Sequence, residues 1–289
     1  MVRPSSQTPP APAPAGKVPS PTPPGAWAEL RLLWASRSLL WAFVHQELQM
    51  RYLGSSVGLY WTLIHPLLQL ITYTFVFHTL IGVKFHPQGS TLHYVLFLFG
   101  GMVTWNAFQE GLTRATSSLS EHGHLLRKMN FPSIVLPAKA VVGTTLNHSI
   151  GLGILMLAAL FLGDGLSPHI LLVPVFIFIQ AAFTLGLGML TATLQLYYRD
   201  MGHWVQSALF AGLFLTPVFY PASAWPRPFL LLLYLNPMAQ LVGIFQGLIL
   251  NQHFPVFNQL LFPTVVAGLV LVVGSSVFAH NRRHFADLV

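Results

Sequence analysis

Residues 171–198 read LLVPVFIFIQAAFTLGLGMLTATLQLYY, a run with no charged side chain. It sits inside a longer charge-free interval from Asp164 to Arg199. About 20 consecutive apolar residues are enough for a helix to cross the hydrocarbon core of a bilayer. The same reading works outward along the chain. No Asp, Glu, Lys or Arg interrupts Arg51 to Lys84, Lys84 to Glu110, Lys139 to Asp164, Asp200 to Arg227, or Arg227 to Arg282. These intervals predict spans near 58–82, 92–113, 139–162, 168–196, 203–220 and 258–280.

Composition agrees with an all-α membrane protein. Of 289 residues, 54% are hydrophobic and only 7% charged, whereas a soluble domain carries about a quarter charged residues to keep its surface in water. Cysteine is absent, which excludes a disulfide framework and thiolate metal sites. The net charge of +7 does not come from a basic stripe, so no nucleic-acid partner is expected.

The interval from Arg227 to Arg282 is too long for one helix, and Asn236-Pro237, Asn251-Gln252 and Pro255 interrupt it. Charge placement decides how to divide it. With six spans and a cytoplasmic N-terminus, all fourteen Lys and Arg except Lys84 and Arg227 lie inside. A seventh span would carry Arg282 and Arg283 outside, against the positive-inside bias. The segment near 222–250 is therefore expected to be re-entrant, with residues 53–281 as the six-span domain and 282–289 as a cytoplasmic tail.

Ahead of the first span, residues 1–25 are rich in Pro, Ala and Ser, without the apolar run of a signal peptide, and read as a disordered tail. Residues 26–52 read as an amphipathic interface helix. Trp27, Trp34, Trp41 and Leu48 recur every seven residues, with Leu30 and Val44 beside them. Tryptophan next to Arg31, Arg37 and Arg51 suits the headgroup layer. A longer first span is the alternative, and Glu29 and Glu47 weigh against it.

No catalytic pattern is present. The only Gly-Lys pair, Gly16-Lys17, precedes Val18 and lacks the Ser or Thr of a phosphate loop, so no nucleotide site is expected in this chain. Seven acidic residues leave little for acid–base chemistry, which disfavours a membrane-embedded glycosyl- or acyltransferase. Glu110 and Arg114 are spaced for an intrahelical ion pair or a substrate contact. His122-x-His124 and His280-x3-His284 have ligand spacing but no third ligand, and no metal site is expected. His148, like other histidines in apolar runs, fits either a wet pore or a satisfied interior. Gly54-x3-Gly58 and Gly243-x3-Gly247 are candidates for close helix approach.

The loop Ser120-Glu-His-Gly-His-Leu-Leu-Arg-Lys-Met-Asn-Phe-Pro132 predicts a short helix over 121–129, capped by Ser120. It would expose Leu125, Leu126 and Met129, which need cover from a membrane surface or from a protein.

Five blocks in order then resemble the ABC-2-type permeases, the membrane subunits of polysaccharide exporters such as those of O-antigen, capsule and teichoic acid. They are Arg51-Tyr-Leu-Gly-Ser-Ser-Val-Gly-Leu-Tyr-Trp61 with Pro66, Arg127-Lys-Met-Asn-Phe-Pro132, Tyr198-Arg-Asp-Met201, Thr216-Pro-Val-Phe-Tyr-Pro221 and Asn236-Pro-Met238. The Pro-rich extension departs from that pattern. The resemblance implies a homodimer in the bacterial inner membrane, with both termini cytoplasmic and two copies of an ABC ATPase docked beneath it. ATP and Mg would belong to that partner, and this chain would carry no cofactor.

By the same resemblance, Glu121, Leu125, Leu126, Arg127, Lys128, Met129, Phe131 and Pro132 form the ATPase-coupling loop, supported by Arg199 and Asp200. Pro217, Tyr220, Pro221, Asn236 and Pro237 fall in a re-entrant gate. A lipid-linked glycan would slide over aromatic rings, for which Tyr60, Trp61, Tyr73, Tyr94, Phe97, Trp105 and Phe108 are candidates. Arg37, Arg51 and Lys128 are candidates for a lipid phosphate. A permease of the same fold for a drug or small lipid is the alternative.

Overall fold

The computed structural model describes residues 25–52, 61–82, 91–127, 131–162, 168–250 and 257–289. The tail expected at 1–25 lies outside them up to residue 24, as do Tyr60, Lys128, Met129, Gly54 and Gly58. Among the described residues all regular structure is helical: α1 (Ala26–Ala35), α2 (Arg37–Tyr52), α3 (Trp61–Tyr73) passing into a π-helical stretch (Thr74–Leu80), α4 (Thr91–Glu121), α5 (Gly123–Leu126), α6 (Val135–Leu162), α7 (Val173–Tyr197), α8 (Met201–Phe214), α9 (Leu230–Leu235), α10 (Pro237–Ile249), α11 (Phe257–Asn281) and α12 (Phe285–Leu288).

Among the described residues, three helical stretches are long and apolar enough to cross a membrane: Val135–Phe161, Pro168–Tyr197 and Gln259–Leu288. The charge-free intervals anticipated all three. Helix α4 has 31 residues and reaches about 46 Å at 1.5 Å per residue, but Glu110 and Arg114 make it less apolar.

The expected span at 203–220 ends early. Helix α8 has 14 residues, about 21 Å, and the chain turns through 215–220. Pro217 has no N–H to continue the helix, and its ring disfavours a helical Thr216. Farther on, Arg227–Leu235 and Pro237–Ile249 are bent by 90° against each other. Asn236 makes the corner. Its Oδ1 accepts from the N–H groups of Met238 (3.0 Å) and Ala239 (3.3 Å), while Pro237 occupies the first helical position. Its Nδ2 donates to Thr216 Oγ1 at 3.0 Å, fastening this corner to the 215–220 turn.

Helices α4, α6, α7, α10 and α11 form the core, filled by Leu98, Trp105, Phe183, Leu241 and Phe245 among others. Gln246 of α10 donates to the carbonyls of Phe97 (3.3 Å) and Pro217 (3.2 Å), which satisfies two backbone groups where water is excluded. Helices α7 and α11 cross at backbone contact. A Cβ on Gly186 would lie 2.6 Å from the Val270 carbonyl, and one on Gly274 would overlap the Gly186 carbonyl. Small residues permit this approach in a bilayer, where dispersion and not water expulsion drives helix pairing. Gly243 and Gly247, the candidates from spacing, have nothing within 4 Å of their would-be Cβ atoms.

Helices α1 and α2 pack along the outside of the bundle, α1 against α11 and α2 against α6. Val44 is fully buried there, while Trp27, Trp34 and Trp41 point away from the bundle at 71%, 73% and 55% exposure. The tryptophan row is thus the outward face of the arm, with Val44 on the inward one.

Gly274→Ala should destabilise the fold by about 1–3 kcal/mol, because a methyl group at a backbone crossing forces the helices apart. Gly243→Ala should raise stability by up to about 1 kcal/mol through helix propensity alone. Thermal unfolding of the two variants in detergent checks both.

Candidate functional site

Four charged side chains, Glu47, Arg51, Glu110 and Arg114, converge where α2 meets α4. Arg51, in the last turn of α2, directs Nη1 to Glu110 Oε1 of α4 at 2.8 Å and Nη2 to Glu47 Oε1 at 3.5 Å. Its Nη2 also donates to Thr144 Oγ1 of α6 at 3.2 Å. Arg114, one turn beyond Glu110, closes the pattern with Nε at 2.8 Å from Glu110 Oε1 and Nη1 at 3.4 Å from Glu47 Oε1. From α6, His148 Nε2 lies 2.9 Å from Glu110 Oε2. Glu110 is the hub, since groups on three helices converge on its two oxygens. The intrahelical pair anticipated with Arg114 is there, as one edge of a larger network. The Glu47–Arg51 pair went unread in the sequence, although its i, i+4 spacing carries the same signal. The link to His148 crosses from α4 to α6 and leaves no local signal.

Beside this network opens a cavity of about 1120 Å³ between α2, α3, α4 and α6. Glu47, Glu110, Arg114, Lys139 and His148 line it, along with the uncharged polar groups Gln46, Gln69, Asn106, Gln109, Thr113 and Ser117. Asn106 Nδ2 donates to Gln69 Oε1 at 3.0 Å across the α3–α4 gap. These amides and hydroxyls can exchange hydrogen bonds with water or with a polyhydroxylated solute.

The aromatic candidates lie elsewhere. Tyr94 (1% exposed), Phe97 (4%), Trp105 (2%) and Phe108 (6%) are core residues of this chain. Phe108 stacks on Phe183 with centroids 5.7 Å apart, and the Tyr94 hydroxyl donates to the Phe219 carbonyl at 3.0 Å. Tyr73 is half-buried against Phe219, 4.9 Å between centroids. Within this chain these rings fill helix crossings and do not line the cavity. The side chain of Trp61 lies outside the described residues.

The candidate coupling loop is shorter than expected. Helix α4 continues through Glu121, and α5 spans only Gly123–Leu126, beginning at His122 with no side-chain cap. Ser120 Oγ donates instead to the Ser117 carbonyl at 2.9 Å. Leu125, Leu126 and Phe131 are not left outward; they pack onto a cluster of Leu119, Ile134, Met189, Phe278 and Phe285. Arg127 is exposed and donates to the Val289 carbonyl, and Pro132 is half-buried. Arg199 and Asp200 form the exposed turn between α7 and α8. Among the gate candidates, Pro217 and Asn236 hold the hydrogen bonds given above, and Tyr220 donates to the Phe214 carbonyl. Pro221 and Pro237 flank helical pieces. Arg37 is exposed, 5.6 Å over the Trp34 ring.

Among the described residues no group of three or more His, Asp or Glu could hold a metal ion. His122 Nε2 lies 2.9 Å from Lys139 Nζ, and the rings of His122 and His124 are 6.3 Å apart.

Removing the hub should be felt more than trimming its edge. Glu110→Ala strands Arg51, whose side chain is 12% exposed, and should cost about 2–3 kcal/mol. Arg114→Ala removes a side chain 44% exposed and should cost less than about 1 kcal/mol. Thermal unfolding in detergent, with an Arg51/Glu110 double-mutant cycle, measures the difference.

With this geometry in view, comparison with known proteins is informative. The profile of the ABC-2 type transporter family matches residues 38–250. The chain is 30% identical over 262 residues to the O-antigen export system permease protein RfbA of Myxococcus xanthus, covering 90% of this chain and 98% of that protein. It is 26% identical over 256 residues to the protein of the same description from Klebsiella pneumoniae, covering 87% and 95%. The match takes in α4 through α10 whole, including the Glu110 hub, the coupling-loop candidates and the Asn236 corner, and this chain belongs to the ABC-2 type transporter family.

Proposed function

We propose that this chain is the membrane-spanning subunit of an ABC exporter that moves a lipid-linked polysaccharide of O-antigen type across the bacterial inner membrane. The observation that carries the reading is the cavity of about 1120 Å³, lined by amides, hydroxyls and charges within an otherwise apolar helical bundle. Relatives named as O-antigen export permeases, matched over nearly their whole length, support the substrate class. The missing phosphate loop supports a motor on a separate chain.

In this reading six passes are made by α3 with its π-helical stretch, α4, α6, α7, α8 with the 215–220 turn, and α11. The 90° pair of α9 and α10 enters and leaves from one side. Helices α1 and α2 lie in the headgroup layer with their tryptophans in the lipid. The arginine-rich end, with Arg51, Arg114, Arg127, Arg199 and Arg282, faces the cytoplasm. Two copies form the conduit and two ATPase subunits dock beneath it, on the loop around α5 and on the Arg199–Asp200 turn.

Glycan hydroxyls exchange hydrogen bonds with the cavity's amides and hydroxyls in place of water. Glu47, Glu110 and Arg114 stay paired within the hub, so they hold the wall without clamping the cargo. Arg37, exposed beside Trp34, is the better donor to a lipid phosphate. Arg51 would have to give up Glu110 to take that role.

Reconstituted with its cognate ATPase in inverted vesicles, the chain should drive ATP-dependent uptake of lipid-linked glycan. An ATPase that hydrolyses ATP in the complex without such uptake would contradict the substrate. Replacing both partners of the cavity hydrogen bond, Gln69→Leu with Asn106→Leu, should leave folding nearly unchanged. Export should nevertheless fall, with ATPase co-purification retained.

A further inference from the structure

The eight residues after Asn281 do not hang free. Arg282 Nη1 reaches Glu29 Oε1 of α1 at 3.1 Å, and Glu29 has no solvent exposure. One turn farther, Phe285 is buried edge-to-face against Phe278, with centroids 4.9 Å apart. The cluster around this pair takes Leu32 and Leu33 from α1 and Leu125 and Leu126 from α5. Helix α12 touches both α5 and α7. At its far side Arg127 donates to the Val289 carbonyl, and a Cβ placed on Gly123 would lie 3.1 Å from Val289 Cβ.

We propose that residues 282–289 are a brace that ties the α5 loop to α1 and α11, with Phe285 and the Glu29–Arg282 pair as its positioning residues. The inference rests on the reading of α5 as the loop an ATPase pushes. Leu125 and Leu126 pack inside the chain, while Glu121 and His124 are exposed along the cavity and Arg127 is exposed beside Val289. A push on that surface is delivered through packed rings and leucines on the side of the loop away from the cavity. It reaches the interface arm through Leu32 and Glu29, and the last span through Phe278. A bare loop of four helical residues could not transmit such a load. Packed side chains with one arrangement can.

The test uses the full complex with its cognate ATPase in vesicles, reading ATP hydrolysis and glycan uptake together. Phe285→Ala and Arg282→Glu should keep ATPase binding and hydrolysis but lower glycan moved per ATP by about three- to tenfold. Exchange of the pair, Glu29→Arg with Arg282→Glu, should restore the ratio. A proportional fall in both activities, or no change in either, overturns the brace. Wild-type complex that hydrolyses ATP without uptake would instead overturn the export reading.

A second arm uses the chain's lack of cysteine. Gly123→Cys with Val289→Cys should form a disulfide once the two positions move apart by a few tenths of an ångström, from 3.1 Å between Cβ atoms to the ~3.5–4.5 Å that such bonds adopt, and oxidation should leave export per ATP intact. Failure of the bond to form overturns the contact. Export that stops on oxidation and returns on reduction shows that the tail must leave α5, and overturns the brace.

Discussion

A charge in an apolar bundle must be matched by an opposite charge and hydrogen-bonded, or it is not tolerated. Glu110 meets that demand by taking Arg51 from α2, Arg114 from its own helix and His148 from α6. The consequence is architectural. The outer arm is fixed to α4 by charge and to α6 by the Arg51–Thr144 hydrogen bond as well as by the buried Val44, and the cavity of about 1120 Å³ opens beside the network. Without Glu110, Arg51 would keep only Glu47 at 3.5 Å and Thr144 at 3.2 Å, and the charge link from α2 to α4 would be weakened.

The same rule works at the other end of the arm. Glu29 is sealed from solvent and paired with Arg282, so α1 is held to the end of α11 as α2 is held to α4. Two acidic residues that weigh against a membrane-crossing first helix therefore serve as the arm's two anchors. Between them Trp34 and Trp41 point away from the bundle.

Much of this was legible in the residues. Gaps between charges located α6, α7 and α11, because a charge at the bilayer centre is costly enough to leave a mark on sequence. Asn236-Pro237 announced its corner, since capping chemistry is local. Contacts between distant helices were not legible. Gly186 and Gly274 lie far apart in sequence and share no motif, whereas Gly243-x3-Gly247 has the motif and no neighbour. The aromatic candidates were ambiguous for a related reason: a ring in an apolar helix fits a core as well as a pore, and in this chain Tyr94, Phe97, Trp105 and Phe108 are buried. Pro217 was visible, yet the charge-free interval around it read as one span.

What remains is a bundle whose outer surface is apolar and whose arginine-rich end is split by a polar wedge, with the arm and the 282–289 segment holding the edges of the split. The central claim is that water reaches the wedge and not the aromatic core. Single cysteines introduced as Gln69→Cys, Asn106→Cys and Phe97→Cys into this cysteine-free chain can be probed with a membrane-impermeant maleimide on inverted vesicles. The account predicts rapid labelling at Gln69→Cys and Asn106→Cys and none at Phe97→Cys. Equal labelling at all three, or labelling at Phe97→Cys alone, would contradict it.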